Sequence, residues 1–251
     1  MSIIKAEDIT VIETQLENVD KDTLVIFDCD NVLTCINVGA FHPDNRDCFY
    51  KLVKKNNITQ YDLCDKIRLP LVLEENILVN PRMVELVKNL ENRAVKHMVL
   101  TAYSVRPLKE VEDPVQWRID TLQSFGYHFE KLWDTSFIEL DEFLCNYNPI
   151  FKDGVLCCDI FSKSECLKAF LSQIEWKPKK IIFIDDLLRN LADVEELCKQ
   201  EKIEYIGIEY MESQNIKPYI PFSESLGQVQ VENLMKKSLW ISDEEAQRII
   251  D

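Results

Sequence analysis

Glycine is scarce in this chain, with five among 251 residues. A phosphate loop of the Walker type needs glycines clustered in one turn, so that class of nucleotide site is excluded. Histidine is scarcer still: His42, His97 and His128 are the whole supply, and none lies near a cysteine cluster. The nine cysteines include no Cys-x-x-Cys pair. Zinc-binding spacings are therefore missing. An odd, scattered set of thiols suits a reducing compartment, and the adjacent Cys157 and Cys158 read as strand residues rather than a disulfide. Positive charge is also short. The formal net charge is −15, spread along the chain rather than gathered in a tail. A general nucleic-acid binder would want a basic stripe, so no nucleic-acid partner is expected. A small anionic substrate remains compatible, because local cations or a metal override the global field. No segment reaches the ~18 apolar residues of a membrane span. The first 20 residues hold no apolar run of signal-peptide length, and the expected location is the cytoplasm. Neither repeats nor a low-complexity linker are seen, and oligomeric state is not legible. The length fits one domain, or one domain with an inserted cap.

What is present is organised around residues 23–34, TLVIFDCDNVLT. Thr23 to Phe27 reads as a buried parallel strand. It runs straight into two carboxylates, Asp28 and Asp30, separated only by Cys29. Residues 1–22 read as a short helix or strand leading into it. After it, residues 35–79 delay the next core element. A strand-to-helix loop takes only about 2–6 residues, so this segment reads as a small, mostly helical cap. Helical spacing runs from Asp44 to Asn56 through Cys48, Phe49, Leu52 and Val53, and a second helical piece is expected from Tyr61 to about Leu69.

Asn80-Pro81 restarts the core as a helix start, with Met83, Val84, Val87 and Leu90 on one face. Lys96–Thr101 is the next strand. Pro114–Phe125 is a helix, with Gly126 as its C-terminal cap. Asp153-Gly154 predicts an antiparallel hairpin over about 148–160. Ser162 and Glu165 form a capping box that opens the next helix, which buries Cys166, Leu167, Phe170, Leu171 and Ile174. Strands follow at Lys180–Ile184 and Glu204–Ile208, separated by a helix over about 187–201. Two more helices over 223–251 close the chain. Alternating strands and helices predict an α/β fold, a mainly parallel sheet with helices on both faces. The core is expected to comprise 1–34 and 80–251.

Three apolar strands end in polar residues: Asp28 and Asp30, then Thr101, then Asp185 and Asp186. Parallel strands bring their carboxyl ends together, and ligands bind in the crevice there. Lys163 opens a helix between the second and third. A cation in the first helical turn opposes the helix dipole, which makes its presence informative. Four carboxylates at one edge need a cation, and all-oxygen ligands suit Mg2+. The metal candidates are Asp28, Asp30, Asp185 and Asp186. Asn190 either orients Asp186 or faces solvent.

Asp28-Cys29-Asp30-Asn31-Val32, with its apolar strand before and Leu33 and Thr34 after, resembles the first signature of the haloacid dehalogenase (HAD) superfamily. The resemblance covers about 23–34 and 80–210. Its signatures map onto Asp28 with Asp30, Thr101, Lys163, and Asp185 with Asp186. Within the superfamily the chain looks like an uncharacterised bacterial branch. The second aspartate marks the phosphatase-like branches.

The resemblance implies a HAD-like (Rossmannoid) core and phosphoryl transfer through an aspartyl-phosphate. The expected activity is a Mg2+-dependent phosphatase acting on a small phosphomonoester. Asp28 is the candidate nucleophile, Asp30 the general acid and base, and Thr101 with Ala102 the phosphate binder. Tyr103 and Ser104 are alternative donors. Lys163 is the candidate lysine for phosphate and catalysis, with Lys152 and Lys168 as alternatives because of the unusual hairpin. A phosphotransferase or mutase, or a low-turnover binding protein on the same fold, are the competing functions. Phe41, Phe49, Tyr50, Tyr61, Arg46, Lys66 and Arg68 in the cap are candidates for reading the substrate.

Overall fold

The computed structural model describes residues 3–55 and 74–251. The chain forms two compact units, one from residues 1–34 and 78–212, the other from 35–77 and 213–251.

The first unit is α/β. Its strands are β1 (Ile3–Ala6), β2 (Thr23–Phe27), β5 (His97–Thr101), β6 (Phe137–Glu139), β7 (Ile150–Lys152), β8 (Val155–Cys157), β9 (Lys180–Asp185) and β10 (Glu204–Tyr210). They form one sheet in the order β1-β10-β9-β2-β5-β8-β7-β6. Pairing is parallel from β1 through β8 and antiparallel between β8, β7 and β6. Every residue of β2 and β5 is buried, so both faces of the sheet centre are covered. On one face Leu24, Ile26, Met98, Leu100, Ile181 and Phe183 pack with Cys166, Leu167 and Phe170 of α5 (Lys163–Gln173) and with Leu191, Val194 and Leu197 of α6 (Leu188–Glu201). Alternation along the strands sends Val25, Phe27, Val99, Ile182 and Ile184 to the other face, where they too are buried. The unit is completed by α1 (Ile9–Leu16), α3 (Arg82–Asn92) and α4 (Pro114–Ser124). Among the described residues no helix is long and apolar enough to cross a membrane.

The expected hairpin forms at Asp153-Gly154, whose φ values of 46° and 82° suit a two-residue turn with both residues left-handed. A side chain at Gly154 would bring its Cβ within 2.3 Å of the Phe129 carbonyl oxygen, so only glycine fits. Through β8 the hairpin joins the main sheet.

The second unit contains α2 (Arg46–Lys55), α7 (Glu224–Lys237) and α8 (Asp243–Ile250). Two short strands, β3 (Thr34–Ile36) and β4 (Asn76–Leu78), pair where the chain leaves the first unit and returns. Phe49, Leu52 and Val53 of α2 bury themselves against Val231 and Leu234 of α7 and Trp240. Residues 213–251, expected in the core, therefore belong with the inserted segment. The apolar pattern of these helices announces a buried face but not which neighbour buries it. Phe41 and Phe49 lie with ring centroids 5.2 Å apart and pack on Trp240 at 5.6 and 6.3 Å, so these two aromatics build this unit's own core. The helix expected from Tyr61 to Leu69, together with Lys66 and Arg68, lies outside the described residues.

Candidate functional site

Sheet register brings the chemistry together. Phe27 sits opposite Ile184 on one side and Val99 on the other. Asp28 and Asp185 thus emerge side by side, and Thr101 comes level with the loop that follows β2. The Asp28 amide donates to Ile184 O at 2.8 Å, which carries the ladder one residue beyond the strand. The loop then closes on itself. Leu33 N and Thr34 N both donate to Cys29 O, and Asn31 takes a left-handed φ of 66° that asparagine tolerates.

Lys163 is the centre of the cluster. Ser162 caps α5 by accepting from Glu165 N, with the reciprocal bond in place, and this fixes Lys163 at the first helical position. Its side chain is 4% exposed, and Nζ lies 2.8 Å from Asp28 Oδ1 and 2.7 Å from Asp185 Oδ2. Burial opposes its charge, but Asp28 and Asp185 outweigh it and hold the ammonium above its ordinary pKa. Lys152 instead pairs with Asp113 at 3.1 Å and Lys168 with Glu201 at 3.4 Å.

Asp185 is fully buried and fully engaged. Oδ1 accepts from Leu187 N at 2.8 Å and from Asn190 Nδ2 at 3.1 Å, and Oδ2 accepts from Lys163. Asn190 therefore steadies Asp185. Asp186 accepts from Asn31 Nδ2 at 3.1 Å, a contact that sequence reasoning missed; a left-handed asparagine beside an aspartate pair has no local signature. Asp28 Oδ1 accepts from its neighbour's amide, Cys29 N, at 2.7 Å as well as from Lys163. Among the described residues no hydrogen bond reaches Asp28 Oδ2. Burial raises the Asp28 carboxyl well above its ordinary range; Lys163 opposes this, and Asp185, Asp186 and Asp30 add to it.

Asp28, Asp185 and Asp186 each offer an oxygen within 4.8 Å of the others. Asp30, expected among the metal ligands, is not in that group. Its carboxylate lies 3.2 Å from Nη1 of Arg118, a residue of α4 that is 1% exposed. The helix was legible in the sequence, but this arginine was not singled out. Four aspartates against Lys163 and Arg118 leave two formal negative charges, a deficit that one divalent cation matches. The donor set is all oxygen, as Mg2+ requires. The residues present therefore fit that ion.

Thr101 is buried at the end of β5, and its Oγ1 accepts from Tyr103 N at 3.2 Å. Ala102 beside it is exposed. Ser104 is committed elsewhere, donating to Asp159 Oδ2 at 2.6 Å, and Arg106 closes that neighbouring network with Nη2 3.0 Å from Asp159 Oδ1. Cys29 and Cys157 are buried, and burial pushes the Cys29 thiol up to about 12, so it is no nucleophile near neutrality. Each described cysteine is free.

Fold and cluster define an α/β protein whose sheet gathers carboxylates, a lysine and an arginine at its carboxyl edge. The chain belongs to the family described as "Protein of unknown function (DUF2608)", whose family model matches residues 5–247. It is 23% identical to an uncharacterized protein of Rickettsia prowazekii (strain Madrid E) over 252 residues, 97% of this chain and 89% of that one. Shorter stretches resemble putative outer membrane proteins of two chlamydiae. The match is 37% over 75 residues in Chlamydia trachomatis serovar D, 30% of this chain and 29% of that one. It is 35% over 92 residues in Chlamydia pneumoniae, 37% and 34% of the two chains. No solved structure matches.

Proposed function

We propose that this protein is a Mg2+-dependent phosphatase with a HAD-like core, hydrolysing a small phosphomonoester through an aspartyl-phosphate on Asp28. The observation that carries the reading is the Lys163 bridge between Asp28 and Asp185 at the carboxyl edge of a parallel sheet. A structural role alone is a poor reason for such a bridge, because desolvating one cation and two carboxylates costs several kcal/mol per ion.

Mg2+ held by Asp28, Asp185 and Asp186 would draw charge from the phosphoryl oxygens. Asp28 Oδ2 attacks phosphorus, the bond from phosphorus to the ester oxygen breaks, and Asp30 delivers a proton to that departing oxygen. Water then attacks the aspartyl-phosphate, with Asp30 taking its proton. The acyl–phosphate P–O bond breaks, releasing phosphate and restoring the Asp28 carboxylate. Lys163 keeps Asp28 oriented and offsets the charge on the transferring group. Thr101 supplies a hydroxyl to the phosphoryl oxygens.

The test is phosphate release from a panel of phosphorylated metabolites and an aryl phosphate, with Mg2+ and with EDTA. Turnover should require the ion, and acid quenching with labelled substrate should trap phosphate on Asp28. Full activity in excess chelator, or no release from any compound, overturns the reading. The same proposal puts the protein in the cytoplasm; recovery with outer-membrane fractions of its source cell would correct that part.

A further inference from the structure

The Arg118 side chain is buried deeply enough that its presence needs a reason. An arginine in a dry interior keeps its charge, since it does not deprotonate. Leaving such a charge without a carboxylate is strongly unfavourable. Its guanidinium lies 4.1 Å from the Tyr103 ring and 5.3 Å from the Trp117 ring. Those two rings stack on each other at 5.8 Å and 18°. Nη1 reaches both Cys29 Sγ at 3.4 Å and Asp30 Oδ1 at 3.2 Å. The arginine is thus rigid, whereas Asp30 is 39% exposed and sits in a loop with rotamers to choose from. In that pair the cation sets the position of the anion.

The consequence lies two residues away. Asp28, Asp185 and Asp186 already converge within 4.8 Å of one another. A free Asp30 on the same short loop would be drawn to any cation they hold. We propose that Arg118 is a positioning residue: it keeps the Asp30 carboxylate out of the cation-binding group. Held by Arg118 and 39% exposed, that carboxylate remains a separate group beside the cation site. The purpose of this separation rests on the phosphatase reading, but the separation itself is measurable without turnover.

The experiment is calorimetric titration of the full chain with Mn2+. Asp30→Asn alone should leave the affinity within about twofold, whereas Asp186→Asn should lower it at least about tenfold. Arg118→Gln should raise the affinity about tenfold, as Asp30 is released to become a further ligand. In the Asp30→Asn background that rise should vanish. If Arg118→Gln fails to fold, Tyr103→Leu removes the stacking face while keeping the charge, and should raise affinity severalfold, again only with Asp30 present. An equal rise in both backgrounds would mean that Arg118 acts through its field alone, and overturns the inference. So does an Asp30→Asn loss as large as that of Asp186→Asn. A wild type that binds Mn2+ but shows either result fails this inference and leaves the phosphatase reading standing. A wild type that binds no divalent ion fails both.

Discussion

The two ends of the central sheet use the same ion pairs to opposite effect. At the carboxyl end Lys163 lies 2.8 and 2.7 Å from Asp28 and Asp185, all buried. At the amino end Lys179 lies 2.6 Å from Asp22, and Lys180 2.8 Å from Glu204, with exposed partners. By distance alone the two ends are equal. In water-like surroundings such a pair contributes little, because solvent screens it and two long side chains must be ordered. In the interior the attraction is larger, but so is the cost of desolvation, and losing one partner leaves a charge with nowhere to go. The difference teaches where the molecule tolerates cost: at the edge where strands of separate sequence origin present their carboxylates together.

The largest effect expected from breaking this contrast is on turnover. Asp28→Asn keeps the side chain's shape and removes the proposed nucleophile. Under the proposed mechanism, phosphate release should fall at least about a thousandfold, while the far- and near-ultraviolet circular dichroism stays that of the wild type. Near-native turnover in this variant would remove the aspartyl-phosphate from the account.

Lys163→Met tests the same end by stability. It leaves Asp28 and Asp185 buried without their cation, and the expected loss is about 3–5 kcal/mol in denaturant unfolding. A loss below about 1 kcal/mol would mean that the carboxylates find protons or water at little cost, and the carboxyl end would then not differ from the amino end.

That end was legible in the sequence for a simple reason. Strands β2, β5 and β9 are unbroken apolar runs that stop at polar residues, so their type and their ends are both written locally. The hairpin turn at Asp153-Gly154 and the cap at Ser162 are local signals too. What escaped depends on partners distant in sequence. Strands β1 and β6 are edge strands of four and three residues. Phe137 of β6 is half-exposed, so no alternation marks it. Arg118 looks like an ordinary surface position on a helix until Tyr103 and Asp30 come to it. The assignment of 213–251 failed for the same reason, since α7 shows an apolar face but not that α2 covers it.

The amino end also holds a buried histidine, and it sharpens the contrast. His97 opens β5, and its Nδ1 donates to Val95 O at 2.8 Å. Burial holds its imidazole below the ordinary value of 6.5, against weaker upward pulls from hydrogen bonds and acidic neighbours. Here burial is met by neutrality rather than by pairing. Because the folded state binds the proton less readily than the unfolded state, stability is present above pH 6.5 and declines as pH falls through that value. Comparing urea midpoints at about pH 7.5 and 5.5 in wild type and His97→Gln should show a smaller decline in the variant. An unchanged slope would assign the acid sensitivity to other groups.

The smallest effect is expected where distance alone predicts the largest. Lys179 and Asp22 form the shortest of these pairs, yet their side chains are 81% and 38% exposed. The neighbouring backbone does not need them, because Lys179 N donates to Asp22 O at 2.9 Å whatever the side chain is. Asp22 has its carboxyl held below the ordinary range, first by the hydrogen bond from Lys179 and then by its charge. Any stability this adds would be present above the ordinary aspartate value of 3.8 and lost as pH falls below it, in a region already accessible to water. Lys179→Ala should therefore leave the melting temperature at pH 7 inseparable from that of the wild type, and turnover unchanged. The reversed pair, Asp22→Lys with Lys179→Asp, should do the same. If Lys179→Ala instead destabilises the protein as much as Lys163→Met, burial is not what separates the two ends of the sheet. The cost of the Lys163 bridge would then cease to argue for a function.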